Sequence, residues 1–117
     1  MTKSEAGREY KYRLQFVPSA LREWQALDGS VKEPLRKLLR KRLDNPHVPG
    51  GALHGALAGY YKIKLRKQGF RLVYGVEDDI LIVMVMTVDK REDGVVYRSA
   101  VNRIAERISA LANAGKK

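Results

Sequence analysis

The chain has 117 residues, 44% of them hydrophobic and 31% charged, and its 23 Lys and Arg against 13 Asp and Glu give a net charge of +10. That length fits one domain around one core and is too short for a two-domain cofactor enzyme. The absence of cysteine excludes disulfides, thiolate metal sites and a cysteine nucleophile. Two histidines, His47 and His54, are too few for a metal site, so no metal and no cofactor are expected. The charge excess favours a polyanionic partner: nucleic acid, an acidic protein segment or an anionic surface. The longest apolar run, Ile80–Met86, has the length of a strand and not of a membrane span. Met1–Glu9 lacks the apolar stretch of a secretory signal, so a cytoplasmic protein with no membrane partner is expected.

Met1–Glu9 reads as a loose leader. Tyr10–Val17 alternates Tyr10, Tyr12, Leu14 and Phe16 with Lys11, Arg13 and Gln15, the pattern of a half-buried strand. Pro18 stops it, and Ser19 is placed to cap a short helix carrying Leu21, Trp24 and Leu27 on one face. Ser30 with Glu33 has capping-box spacing ahead of a second helix, about Val31–Leu43, with Val31, Leu35, Leu38, Leu39 and Leu43 as its core stripe. Asn45-Pro46 ends it, and a glycine-rich loop spans His47–Gly59. Three strands follow, Tyr60–Arg66, Phe70–Val76 and Ile80–Val88, the last apolar on both faces as a central strand should be. A final helix, about Val96–Ala112, places Val101, Ile104, Ile108 and Leu111 at helical spacing. The order β-α-α-β-β-β-α predicts an α+β domain over residues 10–112, with an antiparallel meander packed against an N-terminal helix pair and a C-terminal helix. Residues 113–117 read as a fraying tail.

A hairpin closing at Leu65 and Phe70 sets pairing partners that sum to 135, which puts Lys64 opposite Arg71 with Lys62 on the same face. Between Tyr60 and Arg71 stand Lys62, Lys64, Arg66, Lys67 and Arg71, without one acid. Like charges directly opposite destabilise a sheet, and a face shaped only for solubility mixes signs. The competing reading is a solvated face with chance charge bias. Arg91 follows the central strand, and Tyr97 begins the last helix, where it either covers the core edge or stacks on a base. The second helix adds Arg36, Lys37, Arg40 and Lys41, a solvated face that would serve equally against phosphate or an acidic partner. His54, on the loop, is a solvated histidine or a site residue. Gly50-Gly51 and Gly55 do not form a phosphate-binding loop, Ser19 and Ser30 are better caps than nucleophiles, and Asp78-Asp79 reads as a turn.

Tyr61-Lys62-Ile63-Lys64-Leu65-Arg66, then Gly69-Phe70-Arg71-Leu72-Val73-Tyr74, Val88-Asp89-Lys90-Arg91 and Val96-Tyr97 resemble the RelE toxins of type II toxin–antitoxin systems. The likeness runs from about Tyr12 to Ile104 and includes the Leu21–Leu27 segment with Trp24 and the closing segment from Val96. It implies the RelE-like microbial RNase fold and an endoribonuclease that enters the ribosomal A site, against 16S rRNA, and cuts mRNA there. It also implies a RelB-like antitoxin as partner, with operator DNA reached only through that antitoxin. Lys62, Lys64, Arg71, Arg91 and Tyr97 match the family's catalytic positions. Leu53-His54-Gly55 stands where the family has an arginine in an L-R-G triplet, so His54 is a departure that either keeps or loses a phosphate contact. Arg66, Lys67, His54, Arg36, Lys37, Arg40 and Lys41 are the accompanying RNA-binding set.

The chemistry of the residues agrees with that implication. RNA carries its own nucleophile in the 2′-OH, and fixed Lys and Arg donors stabilise the charge that grows at the phosphorus. Crowded cations disfavour the charged form of a lysine, so one lysine is expected as general base, Lys64 first and Lys62 second. Arg71 and Arg91 would hold the phosphate, and Tyr97 would orient a nucleotide. The competing readings are a non-catalytic, ParE-like gyrase poison on the same fold, a ribosome-independent RNase, and a plain basic binding module.

Overall fold

The computed structural model describes residues 9–90 and 94–114, so Arg91 and the expected leader up to residue 8 lie outside the described residues. The elements are β1 (Arg13–Phe16), α1 (Pro18–Gln25), α2 (Gly29–Asp44), β2 (Tyr60–Leu65), β3 (Phe70–Glu77), β4 (Ile82–Lys90), α3 (Val95–Asn102) and α4 (Ile104–Ala114). They form one sheet in the order β1-β4-β3-β2. β2, β3 and β4 are the expected antiparallel meander, whereas β1 lies parallel to β4, making the sheet mixed. The α1–α2 pair supplies the crossover that a parallel neighbour requires.

Register and period-2 alternation sort the side chains into two layers. Tyr61, Ile63, Leu72 and Tyr74 face α2, where Arg42 donates to the Tyr74 hydroxyl at 2.7 Å. Tyr60, Lys62, Lys64, Arg71 and Gly75 face the opposite side, where α3 and α4 cover only part of the sheet. β4 is the central strand, and every residue from Ile82 to Val88 is buried. Among the described residues the buried polar side chain is Thr87, whose hydroxyl donates to Glu23 at 3.3 Å.

Several local expectations change. α1 is capped by Val17 with Pro18 at its first position, and Ser19 instead donates its N–H and O–H to the Glu106 carboxylate of α4, at 3.0 and 2.8 Å. Those bonds hold Glu106 below the usual carboxylate range although burial pushes it up. Asp28, not Ser30, caps α2 by accepting from the Ser30 N–H, and Glu33 pairs with Arg36 instead of closing a capping box. α2 continues through Pro34, which cannot donate to the Ser30 carbonyl four residues back. That carbonyl accepts from the Gln68 amide at the hairpin tip instead, at 3.5 Å. Ile80 and Leu81 belong to the turn ahead of β4, with Leu81 in the left-handed region at φ 56°. The single C-terminal helix is two helices broken at Arg103, the second reaching Ala114. Gly69 at φ 74° makes the β2–β3 turn.

Candidate active site

Hairpin register decides the site. Leu65 pairs with Phe70 and Lys64 with Arg71, as the sum of 135 requires, and Lys62 stands two residues along on the same face. Lys62, Lys64 and Arg71 are all half-buried, rising from a sheet whose other face is sealed by α2. The Arg71 guanidinium donates to the Tyr97 hydroxyl at 3.1 Å and lies 5.6 Å from the Tyr97 ring centre. Tyr97 is half-buried on the first turn of α3, with Val96 and Ala100 buried beside it as that helix's anchors. The ring of Tyr97 packs on the core edge, and its hydroxyl faces Arg71 of the basic row. The Arg71 Nε is buried with no hydrogen-bond partner.

One neighbour was not expected. Asp89 lies opposite Arg71 on the β4 side, so the row across the sheet reads Lys64, Arg71, Asp89. Sequence order hid this acid, since the run from Tyr60 to Arg71 contains none and Asp89 arrives only through the β3–β4 pairing.

The remaining basic residues divide. Arg66 and Lys67 are exposed at the hairpin turn, at the open end of the row. His54 is exposed at the start of the short turn Gly55–Leu57, which packs against α3 and so lies on the site's side of the molecule. Arg36, Lys37, Arg40 and Lys41 belong to α2 and occupy the opposite layer, so they are not part of one constellation with Lys62, Lys64 and Arg71. Arg36 pairs with Glu33 and lies 5.9 Å from the Trp24 ring centre. Arg42 turns inward to Tyr74 and to the Lys62 carbonyl, at 2.7 and 3.4 Å. Among the described residues no group of three His, Asp or Glu could hold a metal.

The row stands on the sheet face that α3 and α4 cover only in part. A cleft of about 680 Å³, lined by Gln15, Phe16, Pro18, Glu106 and Ala110, lies along the β1 edge and holds no member of the row. A cationic sheet face suits a chain-like anionic substrate, because phosphate contacts are made along a surface. Among the described residues no helix is long and apolar enough to cross a membrane.

Comparison with known proteins gives the family. Residues 14–95 match the family described as the ParE toxin of type II toxin–antitoxin system, parDE. The mRNA interferase toxin RelE of Escherichia coli K12 is 45% identical over 93 residues, covering 80% of this chain and 97% of that protein. The crystal structure of the isolated E. coli RelE toxin superimposes with a TM-score of 0.67 at 44% identity, covering 80% of this chain and 98% of that one. The toxin chain of the intact E. coli RelBE toxin–antitoxin complex matches with a TM-score of 0.66 at 43% identity, over 70% and 99% of the two chains. The paired lysines and arginine of the hairpin, the tyrosine poised over them and the shared α+β fold converge on one assignment: the chain belongs to the RelE family of type II toxins, within the wider ParE/RelE group.

Proposed function

We propose that this protein is a ribosome-dependent mRNA endoribonuclease that acts in the cytoplasm, cutting mRNA in the ribosomal A site until a RelB-like antitoxin binds it. The observation that carries the reading is the pairing of Lys64 with Arg71 beneath the Tyr97 hydroxyl. In the reaction the 2′-oxygen attacks its own 3′-phosphate, forming a cyclic phosphate as the bond to the 5′-oxygen breaks and that oxygen takes a proton from water to leave as the 5′-hydroxyl. Lys64, or Lys62 beside it, takes the 2′-proton. Arg71, with Arg91, donates to the phosphoryl oxygens as their charge grows, an effect strongest at the transition state. Tyr97 stacks on or orients a nucleotide while its hydroxyl fixes the Arg71 fork. Among the described residues the site holds no histidine–carboxylate pair such as a free-standing RNase would use, so the ribosome supplies orientation, an effect worth about 7–11 kcal/mol when complete. The relatives named mRNA interferase RelE and the RelBE complex support the activity and the partner.

Primer-extension mapping of an mRNA with and without programmed ribosomes tests this directly. Cuts confined to A-site codons, dependent on ribosomes and lost in Arg71→Ala, are the expected result. Cuts on naked RNA would identify a ribosome-independent nuclease. No cuts under either condition, with accumulation of gyrase cleavage complexes, would move the protein to the ParE-like reading that the matched family description favours.

A further inference from the structure

Away from the basic row, α1, β4 and the α3–α4 junction meet at a single carboxylate. Glu23 accepts from the Arg103 guanidinium at 2.7 and 2.9 Å, from the Thr87 hydroxyl at 3.3 Å and from the Val88 N–H at 3.2 Å. Arg103 also donates to the Met86 carbonyl at 3.1 Å. Met86 is the extra residue of a bulge: Val73 pairs with Thr87 and Tyr74 with Val85, leaving Met86 unpaired between them. The two side chains of the ion pair are 17% and 26% exposed, so they are largely withdrawn from solvent screening.

We propose that Glu23 and Arg103 form a clasp that positions Tyr97 over Arg71, making both of them positioning residues for the cleavage reaction. This assignment rests on the nuclease reading given above. The connection is short and mechanical. The Arg103 backbone N–H donates to the Ser99 and Ala100 carbonyls, closing α3, so its guanidinium pins the end of that helix to β4. Eight residues of helix form a rod of about 12 Å, and Tyr97 is carried on its first turn. The described residues give Arg71 one side-chain hydrogen-bond partner, the Tyr97 hydroxyl, so the direction of the fork follows the position of α3. The same carboxylate holds the Val88 N–H, fixing the strand just before Asp89, the residue on Arg71's other flank. One clasp thus sets both neighbours of the phosphate-holding arginine. A purely stabilising role does not require an ion pair, because a partly buried pair is commonly matched by apolar residues of similar volume.

The experiment compares wild type, Glu23→Gln and Arg103→Lys in single-turnover cleavage on programmed ribosomes, and follows backbone amide exchange in the free protein. The cleavage rate constant is expected to fall about 10- to 100-fold, as a small displacement of a reacting group does, while half-saturation by ribosomes changes less than about threefold. Amides of α3 and the Val88 amide of β4 are expected to exchange faster, with those of β2 and β3 unaffected. In a Tyr97→Phe background, Glu23→Gln is expected to add less than about twofold, since residues acting through one contact are not additive. Additive losses in that background, or unchanged α3 exchange, would overturn the clasp. If wild type cuts nothing on ribosomes, the nuclease reading falls while exchange still decides the clasp. If Glu23→Gln does not fold, Arg103→Lys, which keeps the charge and loses the fork, carries the same comparison.

Discussion

The two ends of the sheet treat their cations in opposite ways. At the end away from the hairpin, Arg107 and His47 lie against hydroxyls and carboxylates. Arg107 donates to the Tyr60 hydroxyl at 2.8 Å and the Val76 carbonyl at 3.2 Å, and lies 3.5 Å from Glu77. His47 sits between the Tyr61 hydroxyl at 3.0 Å and Asp78 at 3.0 Å, and Tyr12 donates to the same Asp78 at 2.5 Å. About 20 Å away along the strands, at the hairpin end, Lys64 is set directly against Arg71, two cations facing each other across one strand pair. A folding sequence tends to remove such conflicts, so one end reads as fastening and the other as a place where unfavourable electrostatics are retained for a ligand. The sheet ties the two together, because strands held firmly at one end keep their register at the other.

The largest expected effect is on activity at the hairpin end. Arg71→Ala should lower A-site cleavage by about 10²- to 10³-fold, the loss typical of removing one donor to a developing oxyanion. Its denaturant midpoint should change little, since the like-charge pair with Lys64 is relieved by a few tenths of a kcal/mol while the Asp89 neighbour and the Tyr97 bond are lost. A large fall in stability with Arg71→Ala would break the contrast between the ends. At the fastened end, Gly75→Ala should do the reverse. A Cβ there would stand 2.9 Å from the Tyr60 ring and 3.0 Å from the Arg107 guanidinium. Overpacking of this kind costs about 1–3 kcal/mol, read by urea unfolding, with cleavage by the folded fraction little changed.

Acid titration sharpens the comparison further. The bonds from His47, then from Tyr12, hold the Asp78 carboxyl below its ordinary range, and the bond to Asp78 raises the Tyr12 hydroxyl. A depressed carboxylate stabilises the fold fully above its unfolded pKa of about 3.9, and that stabilisation is lost as pH falls through the lower folded value. Asp78→Asn should therefore flatten the acid limb of stability against pH and leave the cleavage rate at neutral pH unchanged. An unaltered acid limb would show that the Asp78 bonds carry no stability. The smallest effect belongs to Leu81, exposed and left-handed in the β3–β4 turn. Leu81→Gly should raise stability by about 1 kcal/mol, measurable as a higher urea midpoint.

Much of this was legible from local pattern. Alternation located β2 and β3, the two-sided apolar run identified β4 as central, and the hairpin register put Lys64 opposite Arg71. These readings held because strand period and a tight turn are local constraints that tertiary packing has little freedom to revise. The caps were less legible. Ser19 and Ser30 both have capping chemistry, but Ser19 is claimed by Glu106 from a helix 87 positions away, and Asp28 reaches the α2 terminus first.

The sequence by itself determined the class of fold, the basic face and its pairing, and the family, because those depend on residue type at fixed short spacings. Only the tertiary structure decided that β1 runs parallel to β4, that Asp89 faces Arg71 from the next strand, and that the α2 cations stand on the far side of the sheet. It alone brought Glu23 and Arg103 together across 80 positions of chain. Such contacts follow from how layers stack and where a bulge shifts register, which no local period encodes.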